Sequence, residues 1–389
     1  MHDADSRGVS LLTGSLPLPV EYVDRPAHLV AAVRELSGSH IVGLDTETNN
    51  FYRYPEQLCL IQIASHHKVY LIDTISLDDL TPLRDVLENG SINKIIHAAD
   101  NDIRTLDRHR GIHVRNLFDT SVAARFTGIT RLSLGALTGD LLGIPMNKSK
   151  QLQRADWGRR PLSAEALEYA ADDVRHLHAL REVLERRLDT QERTAWVIEE
   201  CARIEEIRYT APDTENAYLF VKGAKGLDER RLAVLRSLYF FREKEALRQH
   251  RPPFRILPDA TLVLLAASPE MALSEVPGLG PTGLRRFGKG LRQALYDGIA
   301  APPVSRPRPV KVVHANKEKL RRLNRLKGWR ISLGSSLSLD PSLIWPLTSL
   351  ERLAGAPESL SAELASAEIR QWQRDEIASS LRACLESLP

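Results

Sequence analysis

The spacing of apolar positions changes along the chain. Ile41-Val42-Gly43-Leu44 is a short run of buried type. Leu58-Cys59-Leu60-Ile61-Gln62-Ile63-Ala64 and Val69-Tyr70-Leu71-Ile72 follow at hairpin-like spacing across the polar His66-His67-Lys68. These runs predict three successive strands. A helix is predicted over about 77–89, a strand at 94–98, a helix from about Asp100, a short strand near 112–114, and helices around 119–126 and 132–142. Ser163 is placed to cap a long helix reaching about Leu188, with Leu167, Ala170, Val174, Leu177, Leu184 and Leu188 at helical spacing. From about 196 onward only helical patterns remain. Strands first in succession and then alternating with helices predict a mixed sheet flanked by helices, followed by an all-helical portion.

The Pro-rich stretch Ala301-Pro302-Pro303-Val304-Ser305-Arg306-Pro307-Arg308-Pro309 reads as an extended, semi-rigid linker dividing that portion in two. The halves repeat a pattern. Arg242-Glu243-Lys244-Glu245-Ala246, then Ile256-Leu257-Pro258-Asp259, is answered by Leu326-Lys327-Gly328-Trp329-Arg330, then Leu343-Ile344-Trp345-Pro346. The expected organisation is an extension at 1–20, an α/β domain at 21–205, a helical unit at 211–298, a linker at 299–312 and a second unit at 313–386. At 389 residues the chain has length for two or three domains.

Charge sharpens this picture. The net +3 hides a segment from Lys222 to Arg330 with 24 Lys and Arg against 9 Asp and Glu, so the remainder is acidic. A basic segment beside an acidic body fits a nucleic-acid grip next to a site that needs carboxylates, and equally a solvated basic helical surface. Cys59, Cys201 and Cys384 are far apart and form no CxxC pair, so neither zinc nor a disulfide framework is expected. The start Met1-His2-Asp3-Ala4-Asp5 lacks a basic n-region, and no apolar run approaches the roughly 20 residues of a membrane span. A cytoplasmic location without membrane contact is expected.

Three acidic motifs carry the candidate chemistry. Asp45 and Glu47 are i, i+2 on a predicted strand and share a face. In His97-Ala98-Ala99-Asp100-Asn101-Asp102, Asp100 reads as a helix cap and Asp102, one turn in, as a ligand. Tyr169 and Asp173 are i, i+4 at the border of a helix's apolar stripe, with Asp172 towards solvent. Singly, each motif also fits a strand end, a cap or a packing Tyr. Together, Asp45, Glu47, Asp102 and Asp173 offer hard oxygen donors that suit Mg²⁺ or Mn²⁺ rather than zinc. Two such ions about 4 Å apart can hold the attacking and leaving oxygens of a phosphodiester displacement. Without metal the four carboxylates would repel one another.

Asp45-x-Glu47, His97-x4-Asp102 and Tyr169-x3-Asp173 resemble the three motifs of DEDD 3′–5′ exonucleases. The surroundings resemble the ribonuclease D family over about 21–190, through Gln57-Leu58-Cys59-Leu60-Ile61-Gln62-Ile63, Leu117-Phe118-Asp119-Thr120, Lys148-Ser149 and Asp156-Trp157-Gly158-Arg159-Arg160-Pro161-Leu162. Glu168 stands where the His form of the family has its His, so this is the Tyr form. The first helical unit resembles an HRDC domain, through Phe220-Val221-Lys222-Gly223, Arg242-Glu243 and Val276-Pro277-Gly278-Leu279-Gly280, and the second resembles a diverged copy. The resemblance implies an RNase H-like (DnaQ-type) α/β exonuclease domain with a mixed sheet, followed by two all-α HRDC-like domains. It also implies two-metal hydrolysis of RNA 3′ ends, tRNA precursors among them, releasing nucleoside 5′-monophosphates, with Tyr169 orienting the attacking water. A monomer without a nucleotide cofactor is expected.

Preference for RNA over DNA rests on the resemblance alone. A DNA-directed exonuclease and a nucleic-acid-binding scaffold remain alternatives, the intact acids speaking against the scaffold. Expected nucleic-acid contacts are Gln62, His97, Trp157, Arg159, Arg160, Lys222 and Lys225. Several have second readings. His97 also reads as a satisfied strand-end side chain, and Trp157 with Arg154, Arg159 and Arg160 as a structural Trp among salt-bridged arginines. Pro277-Gly278-Leu279-Gly280-Pro281 fits a phosphate-binding helix start or an ordinary turn, and 317–330 an RNA-facing or a solvated helix. Relatives commonly place an aromatic directly after Glu47, where this chain has Thr48-Asn49-Asn50, and Phe51 or Tyr52 is the nearest substitute.

Overall fold

The computed structural model describes residues 18–146, 149–306 and 317–387. Residues 1–17 of the expected extension, Lys148 and the later part of the Pro-rich segment lie outside the described residues. The strands are β1 (Val20–Val23), β2 (Ile41–Thr48), β3 (Leu58–Ala64), β4 (Val69–Asp73), β5 (Asn93–Ile96) and β6 (Leu117–Asp119). They form one sheet in the order β1-β4-β3-β2-β5-β6. The β2/β3 and β3/β4 pairs are antiparallel, and β1/β4, β2/β5 and β5/β6 are parallel. The sheet is mixed, as the pattern predicts. Every residue of β3 and β4 is buried, which accounts for their continuous apolar runs.

The helices flanking the sheet are α1 (Pro26–Ser37), α2 (Asp100–Arg110), α3 (Thr120–Phe126), α4 (Ala164–Arg175), α5 (Leu177–Thr190) and α6 (Thr194–Glu205). Some predicted boundaries move. The long helix expected to Leu188 breaks at His176 (φ −99°, ψ −1°) into α4 and α5. The strand expected at 112–114 forms at Leu117–Asp119. Ile112 and Val114 are buried but outside any ladder, and apolarity alone cannot tell the two situations apart. The helix expected over 77–89 shrinks to a 3₁₀ turn at Thr81–Leu83 and one helical turn at Arg84–Leu87.

The helical portion consists of two units. The first holds α7 (Glu229–Gln249), a turn at Pro253–Ile256, α8 (Asp259–Ala267) and α9 (Gly280–Ala300). The second holds α10 (Lys317–Ser336), a turn at Pro341–Ile344, α11 (Leu347–Gly355) and, after shorter segments, α12 (Ala378–Glu386). The two units share two backbone features. Leu257 (φ −148°, ψ 127°) before Pro258 matches Trp345 (φ −158°, ψ 144°) before Pro346. This is the extended conformation that a following proline imposes. The residues ending α8 and α11, Ser268 (φ −135°, ψ 70°) and Ala356 (φ −144°, ψ 78°), also agree.

The units pack differently. Leu235, Leu238, Leu262, Leu265 and Leu291 give the first a core of its own. The second shares a continuous core with the α/β body: Trp372 stacks on Trp196 at 4.6 Å and meets Phe126 edge-on at 5.4 Å. Around this contact Arg193 donates to the Phe126 and Leu337 carbonyls (2.8 and 2.7 Å), and Arg370 pairs with Glu200 at 2.7 Å. The Pro-rich segment, as far as described, is no free spacer. Val304 N–H donates to the Glu229 carbonyl at 2.9 Å, and the Ser305 hydroxyl to the Glu229 side chain at 2.8 Å. Among the described residues, no helix is long and apolar enough to cross a membrane.

Candidate active site

Asp45 and Glu47 project from one face of β2 near its C-terminal end. Gly43 lies two residues earlier on that face. A Cβ there would sit 3.1 Å from the Val174 carbonyl oxygen and 3.2 Å from a Leu177 methyl carbon, so its absence lets α4 lie directly on the sheet. The Ser163 hydroxyl fixes the start of α4 by accepting the Ala166 N–H at 3.2 Å. Asp173 then arrives over the strand, and carboxylate oxygens of Asp45, Glu47 and Asp173 all lie within 4.8 Å of one another. A close set of hard oxygen donors is what a divalent cation of the Mg²⁺ class requires. The residues fit such an ion.

Asp102 is buried next to this group but is not one of the three. The Thr46 hydroxyl, between the two β2 acids, donates to Asp102 Oδ1 at 2.5 Å. Asp100 is not the helix cap the pattern suggested. It pairs with Arg104 at 2.7 Å, and Asp119 secures the turn, accepting from Ala98 N–H (3.0 Å) and Ala99 N–H (2.8 Å). Asp119 also accepts from Ser121 and Val122 at the start of α3. That clamp holds Ala98 in the left-handed region (φ 59°), a conformation unfavourable for a residue with a Cβ, and so aims the first turn of α2.

Burial pushes all four carboxyls up. For Asp45, desolvation acts first, followed by Asp102, Asp173 and Glu47, and for Glu47 desolvation is followed by Asp173 and Asp102. Asp102 and Asp173 are each raised to about 7, mainly by burial, with the Thr46 and Tyr169 hydroxyls opposing the rise. Burial, then the charges of Asp173, Glu47 and Asp45, pushes the Tyr169 phenol upward, and the Gln153 amide lies within hydrogen-bonding reach of its hydroxyl. Gln153 had no signal in sequence, because a polar residue on a short helix reads as surface.

A stability prediction follows. The folded, metal-free protein keeps protons on carboxyls that the unfolded chain releases near pH 4. Stability in EDTA is therefore expected to fall as pH rises from about 4 through about 7. Divalent metal competes with those protons, so its stabilising effect is expected to grow over the same window. At a hundredfold excess over Kd the gain is about 2.7 kcal/mol, or roughly 3 °C in Tm for a chain of 389 residues. Thermal unfolding with Mn²⁺ and with EDTA at pH 5.5 and 8 measures it. A metal shift that does not increase with pH would count against the carboxylate cluster.

Several expected nucleic-acid contacts are corrected. Gln62 is 0% exposed within β3 and cannot touch RNA. Trp157 is 1% exposed and packs 6.2 Å from the Tyr169 ring, so it supports that residue rather than stacking a base. Arg160 turns inward, donating to Asp73 and to the carbonyls of Cys59 (2.9 Å) and Trp157 (2.7 Å), and so straps this segment to the sheet. His97 is largely buried, its Nδ1 sits 2.9 Å from the Thr120 hydroxyl, and burial pushes its pKa down, all of which favour the neutral internal reading. Asp172 pairs with Arg175. Arg159, Lys222 and Lys225 remain exposed, Arg159 on the rim of an open cavity of about 940 Å³ beside the start of α4.

The loop after β2 is built from within. Buried Asn49 accepts the Gln57 N–H at 2.8 Å. Phe51 is 41% exposed with the Arg154 guanidinium 5.8 Å from its ring, whereas Tyr52 is covered by Arg255 of the first helical unit at 4.7 Å. Tyr54 donates to Glu243 of that unit at 2.7 Å. The loop thus links the site to the first unit.

Comparison with known proteins agrees with this geometry. A family model described as a 3′-5′ exonuclease matches residues 20–189, and one described as an HRDC domain matches residues 231–295. Ribonuclease D of Desulfotalea psychrophila is 30% identical over 317 residues, covering 80% of this chain and 84% of its own. The crystal structure of Escherichia coli RNase D, described as an exoribonuclease involved in structured RNA processing, superposes with a TM-score of 0.71 over 96% of this chain and 100% of its own. At 22% identity that is a likeness of fold. The catalytic core of RRP6 from Trypanosoma brucei gives 0.66 at 25% identity, covering 73% of this chain and 80% of its own. Identity sustained across most of both chains, together with the match to the exonuclease family, decides the matter: the chain belongs to the ribonuclease D family and is a 3′–5′ exoribonuclease.

Proposed function

We propose that the protein shortens RNA from free 3′ ends in tRNA precursors, releasing nucleoside 5′-monophosphates, as a monomer in the cytoplasm. The observation that carries the reading is the convergence of Asp45, Glu47 and Asp173 within 4.8 Å beside Tyr169. Those three, with Asp102 alongside, would hold two divalent cations, Mg²⁺ or Mn²⁺, whose chemistry is to neutralise the scissile phosphate and acidify a bound water. Tyr169 keeps its phenolic proton at neutral pH, which suits it to orienting the attacking water rather than accepting a proton from it. Trp157 packs against its ring.

Exposed Arg159, Lys222 and Lys225, and the basic stretch 222–330, support a path for the RNA backbone from the site onto the first helical unit. The matching backbone turns support reading the second unit as a diverged HRDC-like domain. Three unpaired cysteines support a reducing compartment.

The test incubates tRNA precursors with heterogeneous 3′ ends, and matched DNA, with Mg²⁺, Mn²⁺ or EDTA. RNA is expected to shorten from its 3′ end with metal and not with EDTA, and equal or faster loss of DNA would overturn the RNA assignment. Tyr169→Phe is expected to lower kcat about 10²–10³-fold with little change in RNA affinity. An unchanged kcat would remove Tyr169 from the chemistry.

A further inference from the structure

Gln62 occupies an unusual position. It sits at the centre of β3, is 0% exposed, and neither its amide nitrogen nor its amide oxygen has a hydrogen-bond partner. A buried polar group without a partner costs on the order of 1–3 kcal/mol, and native interiors carry few of them. A leucine or methionine would fill the same space without that cost. β3 is otherwise made of Leu, Cys, Ile and Ala, so the amide is the exception in an apolar strand.

Register shows what the amide stands beside. Gln62 pairs directly with Asp45 in the antiparallel β2/β3 ladder, and the irregularity in that ladder falls later, between Glu47 and Thr48. Directly opposed residues of antiparallel strands share a face, with Cβ atoms about 4.5–5.5 Å apart. The unpartnered amide therefore lies on the carboxylate face, directly beside Asp45. A carboxylate committed to a cation through one oxygen leaves lone pairs on the other, and in a buried site these need a donor. Neutral, buried Gln62 is such a donor, and it adds no charge that would repel the cation.

We propose that Gln62 is a positioning residue for the metal site. Its amide N–H donates to the Asp45 carboxylate when that carboxylate binds a divalent cation, fixing which oxygen faces the ion. The inference rests on the reading of Asp45, Glu47 and Asp173 as a cation site, and the experiment separates the two.

Mn²⁺ is titrated calorimetrically into the full-length protein, and melting temperatures are recorded in EDTA. Gln62→Met and Gln62→Leu are expected to weaken Mn²⁺ binding about tenfold or more, as loss of a partner behind a metal ligand does. In EDTA both are expected to melt at or above the wild-type temperature, because an unpartnered polar group has been removed. Gln62→Asn keeps an amide donor but withdraws it by one methylene from the Asp45 carboxylate, and is also expected to weaken binding. Wild-type Mn²⁺ affinity in all three variants would overturn the proposal, as would a lowered EDTA melting temperature with unchanged affinity, which marks a packing role. If the wild-type protein binds no Mn²⁺, or Asp45→Asn binds it equally well, the cation-site reading itself fails.

Discussion

Asp45→Asn is expected to reduce hydrolysis of RNA 3′ ends by at least about 10³-fold, and to make the metal-free protein more heat-stable at pH 8. Both effects come from one position. Asp45 supplies one of the three grouped carboxylate oxygens, so its loss removes a donor from the set. The same carboxyl is half-buried and crowded by Asp102, Asp173 and Glu47, and desolvation and those charges push it toward the protonated form. An amide of equal size relieves that repulsion without opening a cavity. The measurements are single-turnover degradation of a 3′-labelled RNA at saturating metal, and thermal unfolding in EDTA at pH 8. Retained turnover would remove Asp45 from the chemistry. A lower melting temperature would mean that the carboxylate stabilises the fold instead of burdening it.

Trp372→Ala is expected to destabilise the protein by about 3–5 kcal/mol, the usual cost of deleting a large buried aromatic. It is also expected to split one unfolding transition into two. Trp372 closes a three-ring cluster with Trp196 and Phe126, stacked on one and edge-on to the other. The short helix carrying it is anchored by Glu199, whose carboxylate accepts the backbone N–H groups of Gln371 (2.6 Å) and Trp372 (3.1 Å). With the indole gone, Trp196 and Phe126 face a void between the α/β body and the second helical unit. Scanning calorimetry of the metal-free protein reads the outcome. A single transition displaced by less than about 1 kcal/mol would show that the shared core does not depend on this contact.

The acids were legible because their chemistry constrains both residue type and spacing. Asp45 and Glu47 keep the two-residue period of a strand, and Tyr169 and Asp173 the four-residue step of a helix. Gln62, Trp157 and Arg160 were misassigned for a common reason. An amide, an indole or a guanidinium in a motif can face a substrate or the interior, and only tertiary packing decides. In this fold Asp73 claims Arg160, Tyr169 abuts Trp157, and the sheet encloses Gln62. Thr46 and Gln153 were invisible because each acts on another residue rather than on substrate, and Asp119, although part of the Leu117-Phe118-Asp119-Thr120 resemblance, gave no sign of its clamp on Ala98 and Ala99. β1 is four residues with one buried position, too short to show a period, although α1 behind it buries Leu29, Ala32, Val33 and Leu36. The Pro-rich segment divides the helical portion in two but carries no sign of what either half packs against. The pairing of Trp196 with Trp372 joins positions far apart in the chain, which local periodicity cannot reveal.

That pairing also bears on how the protein is made. The body that carries the acids draws its core from residues on both sides of the first helical unit, including Leu326, Trp345, Trp372 and Leu381. During synthesis the sheet and the first unit emerge well before those residues, and domains generally fold in the order they leave the ribosome. The first unit, with a core of its own, can fold on schedule. The helical flank of the α/β body around Trp196 and Phe126 must wait, apolar and uncovered, until the last helices arrive. A ribosome stalled in that interval would present a nearly complete nuclease with an adhesive flank, so the order of translation makes the late helices a guard against aggregation as well as a part of the enzyme.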